Sequence, residues 1–317
     1  MDIDYLLFLQ QFRESAGALF TQFMLLISDI STKGAAVCTV LIFWSVDRSL
    51  GYRIIANCLS GHLVNNFLKL TACVYRPWIR EHKLIPAPQA VESATGYSFP
   101  SGHTQMAMSF YGSIAVHFRS GNPLVCVLCA VMILLTGFSR NYLGVHTPQD
   151  VFVSIMIGLI LLYLNTLLFR KLSQNPELVP RFAAAGILIA VLMLVYFEWK
   201  AYPMDYVDGI LVVDPQEMKT DGFTAVGAWI GFLTGSVIEV RFIRFTSDGS
   251  VLRRVVRSIL GFPIPVLVFL VLKKPLYAVT GLLAGHLILY GFLMFYLTAV
   301  YPALFTYVEK RIPSGVS

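Results

Sequence analysis

Three short polar segments interrupt an otherwise apolar chain, and each carries residue types that can handle an oxyanion. In KLTACVYRP, Lys69 and Arg76 are seven residues apart, two turns apart on one face of a helix. Pro77 bars the residue before it from helical angles and so ends that helix. Two cations stacked at the end of a span can neutralise a doubly charged anion. Long basic side chains reaching for headgroups would look the same, and for Arg76 alone snorkelling is the simpler account. Lys69 lies deeper on the same face, which shifts the balance toward a site.

In YSFPSGHTQ, Pro100, Ser101 and Gly102 read as a tight turn leading into an apolar helix from 104 to 118. The first turn of a helix offers unbonded N–H groups and the positive end of its dipole, which together bind phosphate. Gly102 lets the backbone approach an anion, and the Ser101 hydroxyl adds a donor or a cap. His103 projects from that turn, where it could deliver a proton. Alone, the segment divides evenly between a capped helix start and an anion site.

In SRNYLGVHTPQD, Arg140 ends one apolar run and His146 precedes the next, whose first helical position suits Pro148. Asp150 falls one turn beyond His146, close enough to accept a hydrogen bond from its ring. That bond would hold one tautomer and leave the other nitrogen free to attack, as an aspartate does in a Ser-His-Asp triad. Taken alone, a helix-capping Asp150 beside a structural His146 is the simpler reading.

The elements that must position these residues are membrane helices. Of 317 residues 56% are hydrophobic and 13% charged, with mean hydropathy +0.70, against roughly 25% charged in a soluble chain. The expected fold class is all-α, a polytopic membrane helix bundle, because crossing the hydrocarbon core takes about 20 apolar residues as helix. Spans read as 34–46, 50–74, 101–118, 123–142, 148–168, 182–198, 223–241, 257–272 and 277–304. Residues 3–14 suit an interfacial helix, and 16–30 fit either the interface or the membrane. No sheet is expected, since the period-2 alternation of a barrel is absent. The segments are an N-terminal interfacial part (1–33), a six-helix core (34–181) and about three additional C-terminal transmembrane helices (182–317).

The net charge of +6 does not point to nucleic acid, because the basic residues are scattered over loop ends. Arg48, Arg53, Arg119, Arg170, Lys171, Arg181, the arginines of 241–257, Lys310 and Arg311 fall on one side of the bundle. The acidic loop with Asp205, Asp208, Asp214, Glu217 and Asp221 falls on the other. Loops rich in Lys and Arg stay cytoplasmic, so segments 75–100 and 140–148 face outward. Cys38, Cys58, Cys73, Cys126 and Cys129 lie in or beside apolar runs and form no disulfide framework. The start MDIDYLLFLQQFRES has no basic leader and no small-residue cleavage site, so no cleavable signal peptide is expected.

Together the three segments read K-x6-R-P, P-S-G-H and S-R-x5-H-x3-D, each at an outward helix end. This pattern resembles the superfamily of type-2 phosphatidate phosphatases, which also holds glucose-6-phosphatases, sphingosine-phosphate phosphatases and vanadium haloperoxidases. The motifs span about 69–150, and TGYSFPSGH looks most like bacterial lipid-phosphatase members. The resemblance implies that His146 attacks phosphorus, with Asp150 orienting it, and that His103 protonates the leaving group and then activates water. Lys69, Arg76, Arg140, Ser101 and Gly102 would clamp the phosphate oxygens, with no metal and no cofactor. It further implies a lipid phosphate or pyrophosphate substrate and a bacterial plasma-membrane location with the site extracytoplasmic. A sugar phosphate, or a transporter or receptor that only binds phosphate, are the alternatives.

Among other polar residues, His62, Asn65 and Asn66 suit interhelical hydrogen bonds, and Glu239 and His286 suit buried pairings. The helices after 182 could line a tail groove, mediate homo-oligomerisation or simply pack.

Overall fold

The computed structural model describes residues 2–207 and 209–311; Asp208 of the acidic loop lies outside the described residues, as does the tail after Arg311. In chain order the helices are α1 (Asp2–Asp29), α2 (Ala35–Leu41), α3 (Arg48–Ala72), α4 (Pro77–Arg80), α5 (Pro88–Val91), α6 (Gly102–Phe118) and α7 (Pro123–Tyr142). They continue with α8 (Pro148–Gln174), α9 (Val179–Trp199), α10 (Pro215–Ile238), α11 (Val251–Gly261), α12 (Pro263–Thr280), α13 (Leu282–Phe295) and α14 (Tyr301–Glu309). Short π-helical stretches (Ile30–Gly34, Ile42–Val46, Glu239–Ile243 and Tyr296–Val300) join or extend these helices.

Seven helical runs are long and apolar enough to cross a membrane among the described residues: Asp2–Val46, Pro123–Tyr142, Pro148–Gln174, Pro176–Trp199, Pro215–Ile243, Val251–Thr280 and Leu282–Glu309. Two expected spans fall outside this set for visible reasons. The α3 helix carries Asn57, Ser60, His62, Asn65, Asn66 and Lys69, and α6 has only 17 residues. These are the two helices that bring Lys69 and His103 to the candidate site.

Boundaries moved where glycine breaks the chain. Gly17 (φ 81°, ψ 172°) divides α1, and the first candidate crossing lies within the helical run Asp2–Val46, which includes 16–30, instead of starting at 34. The break expected between 272 and 277 falls at Gly281 (φ 79°, ψ 169°), while Pro275 sits inside α12. Glycine is the residue that takes such positive φ without steric cost. A two-rung antiparallel hairpin, Tyr206–Val207 with Ile210–Leu211, lies in the acidic loop, where no strand was expected. It is too small to alter the all-α class.

The chain forms two compact units that interleave in sequence. The first holds residues up to Cys38, Ile54–Asn165 and Ala201–Met218; the second holds Thr39–Arg53, Thr166–Lys200 and Lys219 onward. In the first unit, Met24 of α1 and Tyr142, Leu143 and Val145 at the end of α7 pack with Ala87, Ala90 and Ala94. Loop 81–101 is thereby pinned by apolar contacts on both sides of α5. The amphipathic start of α1 buries Leu6 and Leu9 against Leu84. Gln10 accepts from the Ile85 amide at 2.8 Å, and Asp2 pairs with Arg80 at 3.1 Å.

In the second unit, Gly227, Gly231 and Gly235 of α10 form a small-residue stripe. A Cβ on them would approach the Leu287 carbonyl to 2.2 Å, the Gly291 carbonyl to 2.0 Å and the Thr298 hydroxyl to 1.9 Å. Only glycine permits that crossing, the usual way membrane helices pack without a hydrophobic driving force. Glu239 is fully buried and accepts from Arg48 Nε at 3.0 Å, Tyr52 Oη at 2.9 Å and the Phe245 amide at 3.1 Å. The pairing expected of Glu239 is therefore present. His286 Nδ1 lies 2.8 Å from the Thr224 hydroxyl.

Candidate active site

The site grows from the ends of α3, α6, α7 and α8, all within the first unit. Pro148 opens α8, and Thr147 and Asp150 cap it reciprocally. The Thr147 amide donates to Asp150 Oδ2 at 2.9 Å, and the Asp150 amide donates to Thr147 Oγ1 at 3.3 Å. This is a capping box with aspartate at its third position. The same Oδ2 lies 3.2 Å from His146 Nδ1. Capping and orienting, which look like rival roles in the sequence, are thus one arrangement: the helix start fixes the carboxylate that fixes the ring.

On the other ring nitrogen, Arg76 Nη1 lies 3.0 Å from His146 Nε2. A guanidinium only donates, so Nε2 is the acceptor and the proton resides on Nδ1, facing Asp150. That is the tautomer a nucleophilic Nε2 requires. Burial, and then the nearby Arg76 charge, hold the His146 imidazole well below its usual range, while Asp150 pulls the other way. The ring is therefore neutral at ordinary pH.

Arg76 also donates from Nε to the Gly96 carbonyl at 3.1 Å, from Nη1 to the Val145 carbonyl at 3.0 Å and from Nη2 to the Thr95 carbonyl at 2.8 Å. Snorkelling would leave it at the surface, but it is 3% exposed. Lys69, 8% exposed, donates to the carbonyls of Tyr97 at 2.9 Å and Ser98 at 3.5 Å. Two cations thus gather the loop that carries Ser98 to the start of α6.

Arg140 is 1% exposed. It donates to the hydroxyls of Ser28 at 2.7 Å and Ser93 at 3.5 Å, and its Nε is buried without a hydrogen-bond partner. Among the described residues no carboxylate comes within ion-pair distance of it. A buried guanidinium hydrogen-bonded only to neutral hydroxyls, with Asp29 acting on it from beyond ion-pair distance, is a costly arrangement unless an anion completes it. His103, on the first turn of α6, lies within electrostatic reach of Arg140, His146, Arg76 and Lys69. The five groups therefore converge from segments 69–76, 101–103 and 140–150.

One expected contribution needs correcting. The Ser101 amide cannot serve an anion as it stands, because it donates to the Asp150 carbonyl at 3.1 Å. The Ser101 hydroxyl instead caps α6, accepting from the Thr104 amide at 3.4 Å and the Thr104 hydroxyl at 2.9 Å. The Ser154 hydroxyl ties both carbonyls together, donating to Ser101 at 2.9 Å and to Asp150 at 2.8 Å. Gly102 keeps an open face, since a Cβ there would meet nothing nearer than Asn65 Oδ1 at 3.7 Å.

Ser98 and Asn141 carried no signal in the sequence, where Asn65 reads only as an interhelical hydrogen-bonding group. Ser98 donates to Asp150 Oδ2 at 2.5 Å and lies 3.4 Å from His146 Nδ1. Asn141 donates to the His146 carbonyl at 2.9 Å, and Asn65 donates to the Pro100 carbonyl at 3.4 Å. Asn65 thus supports the P-S-G-H turn, while Asn66 donates at 2.9 Å to the His62 carbonyl of its own helix, not to another helix. The proximity of Ser98 to P-S-G-H was the one available clue.

Two histidines, an aspartate and three basic groups are thus gathered at the ends of helices in a membrane helix bundle. The chain belongs to the PAP2 superfamily: residues 50–174 match that superfamily, and residues 223–311 match the transmembrane extension of PAP2 superfamily phosphatases. It is 37% identical over 111 residues to undecaprenyl-diphosphatase BcrC of Bacillus subtilis, covering 33% of this chain and 51% of that protein. It is 36% identical over 98 residues to phosphatidylglycerophosphatase B of the same organism, covering 29% of this chain and 47% of that protein. To phosphatidylglycerophosphatase B of Haemophilus influenzae it is 32% identical over 124 residues, covering 37% of this chain and 46% of that protein. The chain spans about half the length of the curated relatives it matches. No solved structure matches it.

Proposed function

We propose that this chain hydrolyses the phosphomonoester or pyrophosphate of a membrane lipid, through a phosphohistidine on His146. The observation that carries the proposal is the His146 ring, held by Asp150 on Nδ1 and with Nε2 turned to a cation, beside a buried Arg140 that lacks a carboxylate. A phosphoryl group entering between Arg76 and His146 would accept the guanidinium N–H on an oxygen and leave the Nε2 lone pair facing phosphorus. Nε2 then attacks, the P–O bond to the lipid breaks, and His103 protonates the departing oxygen. Water next attacks the phosphohistidine, giving up its proton to His103, and inorganic phosphate leaves. Arg76, Arg140, Lys69 and the Gly102 amide stabilise charge on the equatorial oxygens.

The relatives named for a polyprenyl diphosphate and for a phosphatidylglycerol phosphate favour a lipid substrate. So does the site's place at helix ends, where a headgroup lies while its tails stay in the bilayer. The charge pattern supports an extracytoplasmic placement of the site's loops.

Phosphate release from isoprenyl pyrophosphate, phosphatidate and glucose 6-phosphate by detergent-purified protein tests this reading. The lipids should turn over and the sugar phosphate should not; the reverse order would assign a sugar-phosphate phosphatase. Vanadate should inhibit by occupying the phosphate site, and chelators should leave the rate unchanged; dependence on added magnesium would refute the mechanism. Ser98→Ala should lower kcat about tenfold, the cost of a loosened hydrogen bond to a charged group, with KM within about twofold. A matching rise in KM instead would place Ser98 at the substrate.

A further inference from the structure

We propose that Ser28, in the first membrane helix, is a positioning residue that sets the plane in which Arg140 meets the phosphate. This rests on the reading of Arg140 as a phosphate ligand given above. Ser28 precedes the segment that matches the PAP2 superfamily, at the end of the apolar run MLLI and just before Asp29.

The geometry is a ladder of hydroxyls between α1 with its π-helical extension and α7. Thr21 lies 3.0 Å from the Tyr142 hydroxyl, Ser28 accepts from Arg140 at 2.7 Å, and Ser31 lies 2.7 Å from the Thr136 hydroxyl. Residues 21, 28 and 31 share one helical face, and their partners run in the opposite direction along α7. The outer rungs join neutral groups, as many helix pairs in membranes do. The middle rung differs because its partner is charged and 1% exposed, while Ser28 is 2% exposed.

A guanidinium is a rigid planar fork, so fixing one N–H fixes the direction of the rest. Ser28 accepts from Nη1, Ser93 is 3.5 Å from Nη2, and Nε remains buried without a partner. The neighbouring carboxylate of Asp29 is half exposed and pairs with Lys33 at 3.0 Å. Asp29 acts on Arg140 from beyond ion-pair distance, whereas Ser28, a neutral acceptor, orients the fork without adding an opposite charge. A carboxylate at this position would orient the fork equally well but compete with phosphate for it.

The test uses the full chain in detergent, with orthovanadate as phosphate analogue and binding read by titration calorimetry, so that affinity is measured whether or not turnover occurs. Ser28→Ala should weaken vanadate about tenfold. Ser28→Thr, which keeps the hydroxyl, should restore it. Ser31→Ala should leave affinity within about twofold while lowering the melting temperature as much as Ser28→Ala does. Should Ser28→Ala fail to fold, Ser28→Cys, which keeps the size but accepts hydrogen bonds weakly, carries the same expectation. Wild-type affinity in the Ser28 variant, or an equal loss in Ser31→Ala, overturns the proposal. Wild-type protein that binds vanadate yet hydrolyses no lipid phosphate would refute the enzymatic reading and leave the role of Ser28 standing; failure to bind vanadate at all would refute both.

Discussion

His146→Ala should reduce kcat for lipid phosphate release by about ten-thousand-fold or more, since removing a nucleophile leaves only the electrostatic clamp and binding. Folding should survive, because the His146 side chain contributes only its contacts to Arg76, Ser98 and Asp150, while the surrounding loop is held by backbone bonds. Those include the Val145 and His146 amides to the Arg140 carbonyl at 3.1 and 3.3 Å. With substrate labelled on phosphorus and an alkaline denaturing quench, label should remain on wild-type protein and on His103→Ala, whose second half-reaction is slowed. None should remain on His146→Ala. Label retained by the His146 variant would move the nucleophile elsewhere. The pH dependence has a defined sign. Because burial and Arg76 depress the His146 imidazole, Nε2 stays unprotonated as pH falls through the ordinary histidine range. The acid limb of kcat/KM, corrected for ionisation of the substrate, should therefore lie below about 6.5, the unperturbed value. An acid limb above it would mean that the free enzyme carries a protonated His146.

Arg140→Met should cut turnover severely and yet leave the protein as stable as the wild type or more so. Arg140 is almost fully buried, holds two neutral hydroxyls and leaves Nε without a partner. Replacing incompletely compensated buried charge by an apolar side chain of similar length is often neutral or stabilising, by about 1–4 kcal/mol. The loss of one clamp from the transition state should cost about a hundred- to a thousand-fold in kcat/KM, as loss of one oxyanion donor does. Arg140→Lys should not restore it, because an ammonium cannot reproduce the planar fork. Thermal melting and steady-state kinetics on the same preparations separate the outcomes. A fall of many degrees in the melting temperature would make Arg140 a structural residue instead.

Opposed effects of this kind describe a site assembled at a cost to the fold. Arg76 and Lys69 recover part of that cost by donating to carbonyls of residues 95–98 and 145, so the same cations that would hold phosphate also shape its loop. Their substitution should therefore mix structural with catalytic losses, which makes Arg140 the cleaner probe.

The residue order alone specifies the helical membrane class, because apolar runs of span length admit few other folds. It also determined which polar residues stand at helix ends, since motifs such as K-x6-R-P encode spacing along a single helix. Those are local properties with a fixed geometric period. Break points were less legible: Gly17 and Gly281 interrupt helices inside apolar runs, because a positive φ depends on how the chain is pulled from both sides. The folded chain alone shows that Asp150 caps α8 and orients His146 with the same oxygen. Only it could show that the Ser101 amide is already engaged, and that Ser98, Asn65 and Ser28 support groups far away in the chain. A hydroxyl on an apolar helix looks the same in sequence whether it bonds its own backbone or a buried arginine 112 residues away. Hydrogen bonds between distant segments follow from which helices pack together, and that packing leaves no periodic trace in the order of the residues.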